Sequence, residues 1–413
     1  MRKLFTASLC AALPTAFLLL QPAIAAPAPT FERPPSFNAA QLPGIRRVGE
    51  NYTIETPVRS DGLLRDYVLK TPYGEYPVRG DQMLRMRLNE LRALALLEQV
   101  SGSDSFAKAL AEAGLSPLKY TGQLIVNPVG TVQNTLAGVG ALFDQIGSGL
   151  RNSGQTPDNP LASVLGVTRE RRQLAATYGV DPYTDFPPLD AKLKQLSEAA
   201  ALGGLTVTGA LLVVPGAAGI VVSNLSTANK INDVGIDQLA RDYSAAQILD
   251  LNRNLLARMG VSPELSEQLL ANPNYTPIDM AIMVAALDSM RGVGDRAIFV
   301  ARAAQARQRF IAYFVRRWAE LLADDYHRHH DYVRFISLDG YPYVLTRDNR
   351  VVMLAPVDAL SWTRGTASGF GAVTAARRRI APKARGEIRI TGQATVLAQR
   401  ELKREGWTFR EHQ

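Results

Sequence analysis

Apolar residues along this chain change their spacing from segment to segment, and each spacing predicts a different element. Leu4 to Leu20 form one apolar run, broken by Pro14, with Arg2 and Lys3 ahead of it and the small residues Ala23 and Ala25 behind it. That order of basic, apolar and small residues predicts an export signal cleaved after Ala25. Ala26 to Pro43 is rich in Pro and Ala and reads as an extended lead-in. NYTIETPV, DYVLKT and EYPVRG then bring β-branched and aromatic residues at short spacing, separated by the turn sequences RSDG and TPYG. They predict a small antiparallel β unit over 51–79.

From Asp81 the period becomes helical. Leu84, Leu88, Leu91, Leu94 and Leu97 recur at steps of four and three, and SGSD offers N-caps for a following FAKALAEAG helix. Ile125, Val129, Val132, Leu136, Val139, Phe143, Ile146 and Leu150 continue that spacing as an unbroken amphipathic stripe, opposite a face of small uncharged residues. After a polar linker over 147–160, RERRQLAATYG and DAKLKQLSEAA predict helices on either side of a VDPYTDFPP turn. The stretch ALGGLTVTGALLVVPGAAGIVVSNL is long enough to span a membrane. Its central Pro-Gly and repeated glycines favour a buried helical hairpin instead.

Further helices follow from Ser244 to Met290, with Ser262 and Thr276 as N-caps, and a long helix is expected from after Gly294 to about His330. Its apolar stripe is Phe310, Ile311, Phe314, Trp318, Leu321 and Leu322. Period two returns in RFISL, YPYVLT and RVVMLAPV, with Asp339-Gly340 and Asp348-Asn349 where hairpin turns belong. EIRITG, QATVLAQRELKREG and WTF read as strand, helix, strand.

These elements predict a mainly α protein with minor antiparallel β (α+β), a central multi-helix body carrying small β units near both ends of the chain. The expected divisions are the signal at 1–25, the lead-in at 26–47, a β unit at 48–80 and the helical body at 81–331. A β hairpin unit at 332–365, a basic Gly/Ala-rich linker at 366–386 and the strand–helix–strand piece at 387–413 complete the scheme. The helical body includes the apolar Gly-rich segments at 121–150 and 199–225.

Composition narrows the chemistry. The single cysteine, Cys10, lies in the signal, so the mature chain has no disulfide, thiolate nucleophile or Cys-ligated zinc. The net charge of +8 falls to +6 once Arg2 and Lys3 are removed. Outside the cytoplasm such a chain meets lipid headgroups, polysaccharide phosphates and cell-wall polymers, and nucleic acid is not expected as a partner. Arg377, Arg378, Arg379, Lys383 and Arg385 form a basic run suited to an anionic surface.

Three of the four histidines fall within ADDYHRHHDY, residues 323–332. On a continuous helix Glu320, Asp324, His327 and Asp331 share one stripe, which puts imidazole and carboxylates one turn apart, as a divalent metal requires. The candidate ligands are Asp324, His327 and Asp331, joined by Glu320 or His330, with zinc the best-suited ion. The plainer reading is a solvated acidic face whose histidines complement the helix C-terminus, and it is favoured because His412 is the only other histidine in the chain. No catalytic residue is assigned: there is no G-x-S-x-G elbow, phosphate loop, H-E-x-x-H or EF-hand loop. VTRERRQLAATYGVDPYTDFPP and GEIRITGQATVLAQRELKREGWTF are distinctive, yet neither carries a recognisable activity.

The function expected from the sequence is that of an exported cell-envelope protein without a cofactor. It would act as a non-enzymatic binding, scaffolding or assembly factor for an envelope protein or polymer. The alternatives are a metal-dependent hydrolase built on 324–331 and a peripheral membrane protein docked through its Gly-rich apolar helices.

Overall fold

The computed structural model describes residues 31–101, 167–203, 230–231 and 234–411. The export signal, the FAKALAEAG helix, the stripe at 125–150 and residues 204–225 of the apolar segment lie outside the described residues. Among the described residues eleven α-helices and sheets with antiparallel pairing near both ends form an α+β fold. No described helix is long and apolar enough to cross a membrane.

The first sheet uses β1 (Ser36–Phe37), β2 (Val48–Gly49), β3 (Tyr52–Ile54), β4 (Val58–Ser60), β5 (Arg65–Thr71) and β6 (Gly74–Arg79). All pairs are antiparallel, in the order β1-β4-β5-β3-β2, with β6 also on β5. Part of the expected lead-in is therefore folded, since β1 pairs with β4. On β5, Tyr67 and Leu69 are buried while Asp66 and Lys70 stay exposed, the alternation of a sheet with one wet face.

Helix α1 (Asp81–Ser101) buries Leu84, Leu91, Leu94 and Leu97 in the core of this unit. Two helices, α2 (Arg169–Thr177) and α3 (Pro187–Gly203), pack on each other, and α3 lies on α1. The short hairpin β7 (Lys230–Ile231) and β8 (Val234–Gly235) leads to α4 (Ile236–Asp242), α5 (Ala245–Arg258) and α6 (Pro263–Leu270). Then follow α7 (Pro277–Ser289), α8 (Ala297–Ala304) and α9 (Arg309–His329). Ser262 and Thr276 cap α6 and α7, each ahead of a proline at the first helical position. Every residue of α7 from Pro277 to Leu287 is buried, because α5 and α9 both pack against it.

The expected single helix after Gly294 is divided into α8 and α9. The division is held from outside the segment: Asn272 Nδ2 donates to Ala304 O at 3.1 Å and Ala306 O at 2.9 Å, satisfying carbonyls at the break.

At the other end β9 (Tyr332–Leu338), β10 (Tyr341–Thr346) and β11 (Arg350–Ala355) form an antiparallel meander. Its first turn carries Asp339 and Gly340 at φ of 51° and 77°, the left-handed pair that a two-residue hairpin requires. Next come β12 (Ala359–Leu360), α10 (Arg364–Ile380), β13 (Arg385–Ile390), β14 (Gln393–Ala394), α11 (Val396–Arg404) and β15 (Trp407–Glu411). The sheet order is β15-β13-β11-β10-β9, in which β11, β13 and β15 run parallel.

The expected basic linker at 366–386 is thus mostly a helix. Thr363 caps it, and Thr366, Phe370, Val373, Thr374, Ala376 and Arg377 give it a buried face that outweighs its four glycines and serines. Strand β13 is buried from Gly386 onward because helices cover both faces: Arg389 reaches α9, and Trp407 beside Gly386 reaches α10.

The two sheets stay separate but are stitched together. Asp358 N and Ala359 N donate to Leu63 O, and Ser361 N donates to Gly62 O. Glu32 closes the seam from the N-terminal side, its Oε2 accepting from Trp362 N at 2.5 Å and Thr395 Oγ1 at 2.8 Å.

Candidate anion-binding face

The histidine-rich segment does not keep the stripe expected of it. Helix α9 ends at His329, and His330 turns left-handed at φ 51°, so Asp331 lies past the helix. Asp331 Oδ2 is held by Arg350 Nη2 at 2.8 Å. His327 Nε2 meets Ser289 Oγ at 3.1 Å, and burial, then the neighbouring His330, lowers its pKa from the usual imidazole range. Tyr326 packs edge-on against both His327 and His330. Asp324 sits half-buried on the same last turns of the helix. Among the described residues no three His, Cys, Asp or Glu side chains are grouped to hold a metal ion.

Glu320, expected on a solvated acidic face, is buried instead. It pairs with Arg316 Nε at 2.8 Å and with Arg317. It belongs to a ladder of alternating charges that runs Glu90, Arg87, Asp185, Arg309, Asp279, Arg316, Glu320, Arg317. Periodicity misses the ladder because its partners come from α1, the VDPYTDFPP turn, α7 and α9. Burial opposes ionisation of Asp185 and Asp279, but their arginines win: Asp185 falls to about 2 and Asp279 also falls below its usual value. Asp181, facing the Asp279 charge and held by Thr276 Oγ1 at 2.5 Å, is pushed up to about 6 by burial first and Asp279 second.

The second distinctive stretch does the same on the other sheet. Glu387 and Arg389 bond at 2.6 Å along β13, and Arg389 reaches Asp325 on α9 at 2.6 Å. Tyr332 also donates to Asp325, at 2.6 Å, while Arg350 joins Glu387, Asp331 and Asp348. At the seam Asp358 Oδ2 accepts from Arg65 N and Asp81 N. A small cleft lies beside it, walled by Phe310, Tyr313 and Phe314, and its arginines Arg79 and Arg317 are paired to Asp61 and Glu320.

These clusters commit much of the buried charge to architecture, and the net charge is distributed unevenly along the chain. From Arg364 to Gln413 there are eleven Arg and Lys against four Asp and Glu, a net +7 out of the whole chain's +8. The parallel topology gathers much of it at one end. Helix α10 ends in Arg377, Arg378 and Arg379, and α11 ends in Lys403 and Arg404. Both lead into parallel strands that start side by side, with Arg350 opposite Arg385 and Gly386 opposite Trp407. Asn349 Nδ2 donates to Lys383 O at 3.0 Å, and Arg377 reaches Glu405 O and Gly406 O, tying the loops together.

Of the five cations expected at an anionic surface, Arg377 is removed by the structure. It is buried, donates to Ala384 O at 2.6 Å and stacks on the Trp407 ring at 5.0 Å. Arg378, Arg379, Lys383 and Arg385 are exposed, and Lys403 and Arg404 join them from a segment 18 or more residues further on. Arg378 and Arg385 have only distant acids, Glu405 at 3.6 Å and Asp348 at 3.8 Å. Arg379, Lys383 and Lys403 form no ion pair among the described residues. The helix dipole accounts for basic residues in the last turns of α10 and α11, but not for Lys383 and Arg385 beyond them.

No family model, curated protein or solved structure matches this chain.

Proposed function

We propose that this is an exported cell-envelope protein that works as a non-enzymatic binding or assembly factor, holding an anionic partner on the basic end of its C-terminal module. The observation that carries this reading is that residues 364–413 hold a net +7 and gather exposed cations at one end of the sheet, where Arg379, Lys383 and Lys403 form no ion pair among the described residues. Exposed cations at one end sum to a field that attracts anions, whereas the same charges dispersed would cancel locally. The export half of the reading rests on the basic, apolar and small-residue order of the first 25 residues. The buried ion-pair ladders support a scaffold: they fix α1, α7 and α9 to one another and α9 to the C-terminal sheet.

The test is retention of the protein, with residues 1–25 removed, on immobilised polyphosphate over a salt gradient. The native chain is expected to bind at low salt and elute as screening rises. Joint Arg379→Glu, Lys383→Glu and Lys403→Glu substitution is expected to abolish retention. Retention equal to that of the native chain would overturn the reading.

A further inference from the structure

We infer that the anionic partner is a lipid bilayer surface and that Ile380 is the side chain that enters it; this rests on the anion-binding reading above. Ile380 ends α10 and is 47% exposed, one of the few large hydrophobic side chains at the surface among the described residues. Its chain neighbours are Arg378 and Arg379 on one side and Pro382 and Lys383 on the other, all exposed. The remaining cations of the face, Arg385, Lys403 and Arg404, converge on the same end of the sheet, as the register of β11, β13 and β15 requires.

An apolar side chain flanked along the chain by cations matches a surface that offers negative charge and hydrocarbon within one side chain's depth. Anionic lipid headgroups over acyl chains have that layering. A phosphate polymer offers charge alone, so it would bind the cations and gain nothing from Ile380. The acids near the patch, Glu405, Asp348 and Glu401, each face an arginine already. They leave Arg379 and Lys383, one and three residues from Ile380, open toward a membrane plane.

The decisive comparison uses two probes: vesicles of equimolar phosphatidylglycerol and phosphatidylcholine, and immobilised polyphosphate. The native chain without residues 1–25 is expected to float with these vesicles at low salt and not with phosphatidylcholine alone. Ile380→Ser is expected to cut vesicle binding about tenfold, the scale of removing one membrane-inserted aliphatic side chain, and to leave polyphosphate retention unchanged. Joint Arg379→Glu and Lys383→Glu substitution is expected to weaken both. Unchanged melting temperatures check that the variants, all at exposed positions, remain folded.

Residues 199–225 offer a separate apolar route to lipid, so flotation alone does not decide. Ile380→Ser floating like the native chain overturns the inference. Polyphosphate retention without vesicle binding also overturns it, leaving the anion-binding reading in place. Loss of both in the native chain overturns that reading as well.

Discussion

Asp358 Oδ2 accepts the backbone N–H of Asp81 at 3.1 Å, capping the first helix from 277 residues further along the chain. The same oxygen accepts Arg65 N at 2.9 Å, so one carboxyl fastens β5 and α1 to the segment that follows β11. Burial first, and the nearby Asp81 charge second, push its pKa up to about 7. Folding therefore binds a proton that the unfolded chain, with an aspartate near about 3.9, releases. The stabilisation from this group is complete below about pH 4 and is lost as pH rises through about 7. Denaturant titrations at pH 5 and pH 8 should show the native protein losing stability between them. Asp358→Asn, which keeps an acceptor without the charge, should reduce that difference, leaving the part due to Asp181. Asp358→Ala leaves both N–H groups unsatisfied and should cost about 1–3 kcal/mol at pH 5, and less at pH 8 where it also removes a buried charge.

Arg316 bridges two buried acids, Asp279 at 3.1 Å and Glu320 at 2.8 Å. Arg316→Met keeps the volume and removes the charge, leaving each acid with fewer counter-charges away from water. A loss of about 3–5 kcal/mol is expected in equilibrium unfolding. A loss under about 1 kcal/mol would mean that Arg309 and Arg317 suffice.

Two glycines should respond in opposite directions. A Cβ on Gly392 would lie 1.8 Å from Asp358 O, backbone that cannot swing aside, so Gly392→Ala should lower the melting temperature. Gly369 lies in the middle of α10 with open space around it, and Gly369→Ala should add up to about 1 kcal/mol through helix propensity. Because Gly369 is far along the helix from Ile380, vesicle binding should not change with it.

His327 should titrate below the ordinary imidazole range in a histidine NMR titration, since burial and the His330 charge both disfavour its proton. His330→Asn removes that charge while tolerating the left-handed φ of 51°, and the His327 value should rise. An unchanged value would assign the shift to burial alone.

Asp331 offers a check on the metal alternative. It is paired with Arg350, so Asp331→Ala should lower thermal stability by about 1–3 kcal/mol. Zinc uptake, measured by elemental analysis after reloading, should stay at the native level. A fall in uptake would restore Asp331 as a ligand.

The sequence by itself determined the elements whose signals are local. The helical steps from Leu84 to Leu97, the caps Ser262 and Thr276, and the turn at Asp339-Gly340 arise from neighbours a few residues apart, and each stands where the pattern put it. The basic run at 377–385 was legible in the same way, as charge adjacent in the chain. Tertiary structure decided which of those charges face solvent: it buried Arg377 against Trp407 and brought the end of α11 to the end of α10, where Arg377 reaches Glu405 O and Gly406 O. It also cut one predicted helix at Asn272's contacts, folded a glycine-rich linker into α10 and turned Glu320 inward toward Arg316. The reason is physical: a period reports which face of an element is apolar, whereas a buried charge is stable only where distant residues supply its partner.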